Sequence, residues 1–139
     1  MLDKQTIETV RAGFALVRPV AAQAAAEFYR RLFEADPSLK PMFRGDATEQ
    51  GEKLMGMIAA AVRLAPRPEL LAGVLGPLGA RHATYGVEAR HYDTVGAALL
   101  ETLAALLGDA FTPAQRTAWT TFYGTLARVM LAGAARRAA

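Results

Sequence analysis

Cysteine is absent from this sequence of 139 residues, and histidine occurs only twice, as His82 and His91. The lack of cysteine excludes disulfides, iron–sulfur clusters, cysteine zinc sites and thiol catalysis. Two histidines are also too few for a metal cage built from several imidazole ligands. A metal site in this chain would therefore need most of its ligands from a cofactor.

Long apolar runs and blocks of one charge are missing as well. The longest apolar run, residues 54–62 with Gly56 included, is about half of the ~18 residues that span a membrane. The net charge is +3, but the basic residues are scattered among acids, so no nucleic-acid-binding stripe is predicted. The polar first residues, 1–6, show no signal segment. We therefore expect a cytoplasmic protein without a membrane span.

What is present favours helices. Hydrophobic residues make up 53% of the chain and charged residues 21%, which excludes disorder. Abundant alanine and leucine favour an all-α chain. Apolar residues recur every three or four positions, as in the stripe Ile7, Val10, Phe14 and Val17, and are expected to face the core. They predict long helices over about 3–18, 19–35, 47–65, 88–107 and from 113 onward. The sequence Thr112-Pro113-Ala114-Gln115 has the form of a capping box that starts the last helix.

The middle of the chain, residues 37–86, is interrupted by prolines and glycines. A short turn over 38–43, a loop over 44–46 and two short helices, 69–75 and a second from Gly76-Pro77 to Gly86, are predicted there. A simple four-helix bundle has short loops between long helices. The broken layout therefore leaves room for a bulky group between helices.

Four residues could serve such a group, although each has an ordinary structural interpretation when taken singly. His82 lies on a short apolar helix and is by itself best explained as a packed, inert histidine. One imidazole nevertheless suffices for haem, because the porphyrin supplies four equatorial nitrogens. Tyr29 and Gln50 are polar interruptions of apolar faces, and Phe43 precedes the loop. Alone, Tyr29 would be a core-edge tyrosine and Gln50 an exposed residue.

The order of several short motifs is more specific than any one of them. The motifs are Phe28-Tyr29-Arg30-Arg31-Leu32-Phe33, Pro41-Met42-Phe43, Glu49-Gln50 with Leu54, Arg81-His82-Ala83-Thr84-Tyr85-Gly86-Val87, His91-Tyr92-Asp93-Thr94-Val95-Gly96, and Ala118-Trp119 with Tyr123-Gly124. In this order the sequence resembles bacterial single-domain globins and the haem domain of flavohaemoglobins, from Met1 to about Leu131. The resemblance implies an all-α globin fold, about six to eight helices around a haem pocket, in one domain over 1–139.

The resemblance also implies residue roles around haem b and its iron. His82 matches the proximal ligand, and Phe43 the phenylalanine that packs on the porphyrin. Tyr29 and Gln50 match the distal residues that hydrogen-bond O₂. The remaining matches are Leu54 at the edge of the distal pocket, Tyr92 as a proximal brace, Lys53 and Arg81 near the propionates, and Met42, Val87, Val95 and Tyr123 as wall residues. His91 is expected to be a partly exposed structural residue and not a second ligand.

The function implied is reversible O₂ binding, as a carrier, store or sensor, with NO and CO as further ligands. Flavohaemoglobins hold the proximal histidine with a tyrosine and a glutamate on the last helix, whereas residues 131–135 here contain no acid. The 139 residues also include no flavin domain. Nitric oxide dioxygenation is therefore a second candidate that would need an external reductase. A haem-free helical interaction or nucleic-acid-binding module is the third. A monomer or weak homodimer is expected.

Overall fold

The computed structural model describes residues 2–43 and 45–138, with side chains as far as Arg136. The predicted loop position Arg44 lies outside the described residues. The helices are α1 (Lys4–Val17), α2 (Ala21–Ala35), α3 (Ala47–Leu64), α4 (Pro68–Thr84), α5 (Ala89–Leu107) and α6 (Pro113–Ala138). Short 3₁₀ turns cover Arg18–Val20, Pro37–Met42 and Gly108–Ala110. No strand occurs within 2–43 or 45–138, so the predicted all-α class is confirmed.

Polar side chains fix where several helices begin. Asp3 accepts a hydrogen bond from the Thr6 amide at 2.7 Å, and Thr112 accepts one from the Gln115 amide at 3.1 Å. These bonds satisfy amides that have no partner inside the first helical turn. Only one of the two hydrogen bonds of the predicted capping box forms at Thr112, because the buried Gln115 side chain points away from the start of the helix. Gln115 instead donates to the Thr9 carbonyl at 2.7 Å and accepts from Trp119 at 3.1 Å, which ties α6 to α1.

The largest departure from prediction is α4. Two short helices were expected over 69–86, but one helix runs through Pro77 from Pro68 to Thr84. A proline inside a helix removes one hydrogen bond, here the bond to the Gly73 carbonyl. Gly73 is exposed, so water can satisfy that carbonyl. Packing of the opposite face of α4 against α6 keeps the helix continuous.

Glycines let α4 and α6 approach each other closely. A Cβ added to Gly79 would overlap the backbone of Met130, and one added to Gly133 would overlap the backbone of Gly76. Only residues without a side chain fit at such a crossing. The contact fixes the position of α4, and therefore of His82 near its end.

The core follows the predicted apolar stripes. The stripe of α1, namely Ile7, Val10, Phe14 and Val17, is buried, as are Phe28, Leu32, Ile58, Leu99, Leu103, Trp119, Phe122, Leu126 and Met130. Every one of these side chains belongs to the same contiguous hydrophobic cluster. Among the described helices, none combines the length and the apolarity needed to cross a bilayer.

Candidate functional site

His82 lies in the last turn of α4 and is half-buried. Its Nδ1 is 2.9 Å from the Leu78 carbonyl oxygen. A carbonyl oxygen can only accept, so Nδ1 carries the proton and Nε2 keeps its lone pair. Burial lowers the pKa of His82, and the neighbouring positive charge of Arg81 acts in the same direction. The imidazole is therefore neutral near pH 7, with Nε2 available as a ligand.

The turn after α4 lies close to the segment before α3. The Val87 amide donates to the His82 carbonyl at 3.1 Å, and Gly86 turns the chain with a φ of +91°. Residues with a side chain rarely adopt that backbone angle, which explains why glycine occurs at this position. The end of the Met42 side chain would lie 3.8 Å from a Cβ at Gly86. Met42 thus joins the α4–α5 turn to the corner that carries Phe43.

Tyr29 is the centre of an aromatic cluster between α2 and that corner. Its ring centroid lies 5.3 Å from that of Phe43 and 5.8 Å from that of Phe33. Its hydroxyl donates to the Gln50 backbone carbonyl at 3.2 Å. Burial raises the pKa of Tyr29, so its phenol stays protonated near pH 7. Tyr29, on α2, therefore donates a hydrogen bond to the first turn of α3.

The first turns of α3 carry the other expected distal residues. Gln50 is half-buried, and its side-chain nitrogen lies 3.9 Å from the position of a Cβ at Gly45. Leu54, one turn later, is partly buried and packs against the core. Lys53 is exposed and forms an ion pair with Glu49 at 3.9 Å. Arg81 on α4 is also exposed. The structure thus brings Tyr29 and Phe43 to the start of α3 and leaves the two cations in solvent.

Tyr92 and Tyr123 join α5 to α6. The Tyr123 hydroxyl donates to the Tyr92 carbonyl at 2.6 Å, and a Cβ at Gly96 would lie 2.7 Å from the Tyr123 ring. Tyr92 is buried, whereas Val87, Val95 and Tyr123 are only half-buried. Burial raises the pKa of both tyrosines, and for Tyr123 the charges on Tyr92 and Asp93 add to the increase.

The expected exposure of His91 is wrong. His91 is only 2% exposed, and its Nδ1 accepts a hydrogen bond from the Glu88 amide at 2.8 Å. The Glu88 side chain in turn accepts from the third helical amide, which completes a capping box at the start of α5. The spacing of Glu88 and His91 was the signal that could have revealed this role. His91 is therefore a helix-capping residue.

The two helices next to His82, α4 and α6, carry almost no acidic residues. Helix α6, which packs closely on α4, contains no aspartate or glutamate. On α4 the only acid is Glu69, in the first turn.

Within residues 2–43 and 45–138, no three His, Cys, Asp or Glu side chains are grouped as a metal site would require.

Comparison with known proteins defines the class. The globin family model matches residues 26–130, so the chain belongs to the globin family, and the predicted globin fold is confirmed.

Similar proteins include flavohemoproteins of three bacteria. The chain is 35% identical to that of Rhizobium meliloti, 31% to that of Chromobacterium violaceum and 29% to that of Vibrio cholerae. Each match covers 94% of this chain but only 33–34% of the relative. The chain therefore spans about one third of the length of these curated relatives.

Proposed function

We propose that residues 1–139 form a haem-binding globin domain in which Nε2 of His82 is the axial ligand. The observation that carries this proposal is the bond from Nδ1 of His82 to the Leu78 carbonyl. A histidine ligand commonly donates its second ring N–H to a carbonyl or carboxylate, which fixes the tautomer and the ring orientation. Membership of the globin family indicates that the cofactor is a haem, and the relatives' name, flavohemoprotein, agrees with this. Without cysteine the haem cannot be attached through thioethers, so we propose haem b.

The residues present fit a flat, largely apolar group. Met42, Phe43, Leu54, Val87 and Val95 are all partly buried and pack against the core, so each keeps apolar surface that a porphyrin would cover. Covering apolar surface stabilises the complex by about 25 cal/mol per Å². Phe43 packs on the ring in this proposal, and Tyr92 and Tyr123 support the side of His82.

When bound, haem iron held by one imidazole would supply a binding position for diatomic ligands such as O₂, NO and CO. In this proposal Tyr29 is the donor to such a ligand: its hydroxyl, which donates to the Gln50 carbonyl in the structure, would donate to the ligand instead. Gln50 and Leu54 would bound the space around it. A hydrogen bond to a group that carries charge contributes about 1.5–3 kcal/mol. That is roughly a tenfold to hundredfold gain in affinity. In this proposal the exposed side chains of Lys53 and Arg81 contact the propionates at the solvent edge.

The chain's own residues favour reversible O₂ binding over redox catalysis. His82 donates to a neutral carbonyl, and the adjoining helix α6 carries no acid. The imidazole therefore has less anionic character than one that donates to a carboxylate, and it supplies less electron density for breaking an O–O bond.

Nitric oxide dioxygenation is the second candidate. It needs a supply of electrons, and the relatives' name, flavohemoprotein, indicates a flavin that could provide them. In this case electrons reach the chain from a reductase. Measuring NO consumption by oxygenated protein with and without a flavoprotein reductase separates the two functions. Sustained, reductase-dependent turnover would establish the enzyme, and a single stoichiometric reaction would establish the O₂-binding protein.

The test of the main proposal is a set of visible spectra of the purified chain. Ferric, ferrous and CO-bound forms should each show a Soret band with one haem per chain. A protein that takes up no haem from solution would refute the proposal and would leave a helical interaction module as the explanation.

A further inference from the structure

Phe33 is a half-buried apolar residue near the end of α2. It lies four residues after Tyr29, about one helical turn, so the two side chains are on the same face of the helix. The ordinary explanation for such a residue is packing at the edge of the core, and Phe33 does pack against the hydrophobic cluster. Its contacts with neighbouring rings add a second role to that packing.

Phe33 contacts two residues of the proposed haem site at once. Its ring centroid lies 5.8 Å from that of Tyr29, with 22° between the ring planes, and 5.5 Å from that of Phe43, with 64° between the planes. Because the centroids of Tyr29 and Phe43 are themselves 5.3 Å apart, the three rings form a closed triangle. Stacked and edge-to-face pairs at these separations attract each other beyond simple burial. Each ring is therefore held by the other two.

The contact between Tyr29 and Phe33 differs from the other ring contacts of Tyr29. Phe28 and Phe43 meet the Tyr29 ring edge-to-face, at interplanar angles of 71° and 67°. Phe33 is instead nearly parallel to Tyr29 and covers one face of its ring. Phe33 therefore opposes movement of the Tyr29 ring toward that side.

The position of the Tyr29 ring decides where its hydroxyl can donate. The O–H bond turns about the C–O bond without movement of the ring, so the hydroxyl can exchange the Gln50 carbonyl for another acceptor within reach. O–H···O bonds need about 2.5–3.0 Å between the oxygens, and a displacement of about 1 Å is enough to weaken a site built on such a bond. The bond to Gln50, at 3.2 Å, is long for a hydroxyl and holds the ring only weakly.

We propose that Phe33 is a positioning residue, which fixes the Tyr29 ring so that the hydroxyl stays within reach of a bound diatomic ligand. The inference rests on the proposed function, in which Tyr29 is the donor. Phe33 has no polar atom and acts only through the ring that it covers. Because Phe33 also contacts Phe43, it joins the donor to the residue that is proposed to pack on the porphyrin.

The test is a double-mutant cycle on the O₂ dissociation rate of the haem-loaded chain. Phe33→Leu keeps an apolar side chain but removes the ring, and O₂ should dissociate about twofold to tenfold faster, which is the factor that one aromatic pair contributes. In a Tyr29→Phe background the same substitution should have no further effect. Phe111→Leu is the matched control and should leave the rate unchanged, because Phe111 is also half-buried and packs against the core, but at the start of α6.

A second measurement needs no haem. NMR of the chain with isotope-labelled tyrosine measures how fast the Tyr29 ring flips, and the signal of this ring is identified by its absence from Tyr29→Phe. Phe33→Leu should speed the flip at least about twofold, because one of the contacts that hold the ring is lost. Phe111→Leu should leave the flip rate unchanged.

Three results on O₂ dissociation would overturn the proposal: an unchanged rate in Phe33→Leu, equal acceleration by Phe33→Leu with and without the Tyr29 hydroxyl, or equal acceleration by Phe111→Leu. An unchanged flip rate of the Tyr29 ring in Phe33→Leu would also overturn it. An unchanged rate in Tyr29→Phe itself would refute the donor role on which the proposal rests. A changed rate in Tyr29→Phe without any change in Phe33→Leu would refute the role of Phe33 alone, so the two failures are distinguishable.

Discussion

At the scale of single residues, the protonation states of His82 and Tyr29 decide what each side chain can do in the proposed haem site. Burial lowers the pKa of His82 and raises that of Tyr29. Both groups are therefore neutral near pH 7, one with a free lone pair and the other with a proton to donate. A ligand to iron and a donor to a diatomic gas require these two states.

Replacing Tyr29 by phenylalanine tests the donor. The variant keeps the ring contacts with Phe33 and Phe43 but loses the hydroxyl. We expect O₂ to dissociate roughly tenfold to a hundredfold faster, because one hydrogen bond to a charged group is lost. Stopped-flow displacement of O₂ by CO measures the rate. An unchanged rate would remove Tyr29 from its proposed role.

The Tyr123 hydroxyl gives a prediction about pH. Its pKa is raised in the folded chain from an ordinary value of 10.0, so the folded state holds this proton when the unfolded state has lost it. The contribution of the protonated Tyr123 hydroxyl to the free energy of unfolding is complete below about pH 10, and it is lost as the pH rises further.

Tyr123→Phe should cost about 1 kcal/mol near pH 7, because the bond to the Tyr92 carbonyl is removed. Urea unfolding at about pH 7 and about pH 11 should show a smaller alkaline loss of stability in this variant than in the original chain. A variant that loses as much stability at alkaline pH as the original would contradict the assignment.

At the level of helices, α4 is the element that decides the geometry of the site. It carries His82, and its contact with α6 depends on glycines at the crossing. Two glycines of the same helix allow a matched test, since Gly79 faces the Met130 backbone and Gly73 faces open space.

Gly79→Ala should destabilise the fold by about 2 kcal/mol, because the added methyl group overlaps backbone that cannot move away cheaply. Gly73→Ala should leave stability unchanged or raise it by up to about 1 kcal/mol, through helix propensity alone. Thermal unfolding of both variants provides the comparison. Equal effects of the two substitutions would mean that α4 and α6 are not closely packed.

The helices that the sequence predicted well are those with continuous apolar stripes, such as α1. The stripe at positions 7, 10, 14 and 17 is buried as expected, since local periodicity alone determines it. The continuity of α4 through Pro77 was not predictable in this way, because it depends on contact with α6. The exposure of His91 was mispredicted for a related reason: its cap with Glu88 removes it from solvent.

For the whole molecule, the proposed function is confined to one face of the fold. The face that includes His82, Tyr29 and Phe43 is proposed to hold haem and a diatomic ligand. The core beneath it is built from buried side chains of all six helices, so we expect a mutation in the haem site to remove haem binding without loss of the fold.

The central claim is that His82 holds the haem, and one measurement tests it most directly. Haem titration of the original chain and of His82→Ala, followed at the Soret band, compares their affinities, with circular dichroism to confirm equal helix content. We expect the variant to bind haem far more weakly, and we expect added imidazole, which can occupy the vacated position, to restore the spectrum. A variant that binds haem with the original affinity and an unchanged spectrum without imidazole would contradict the account.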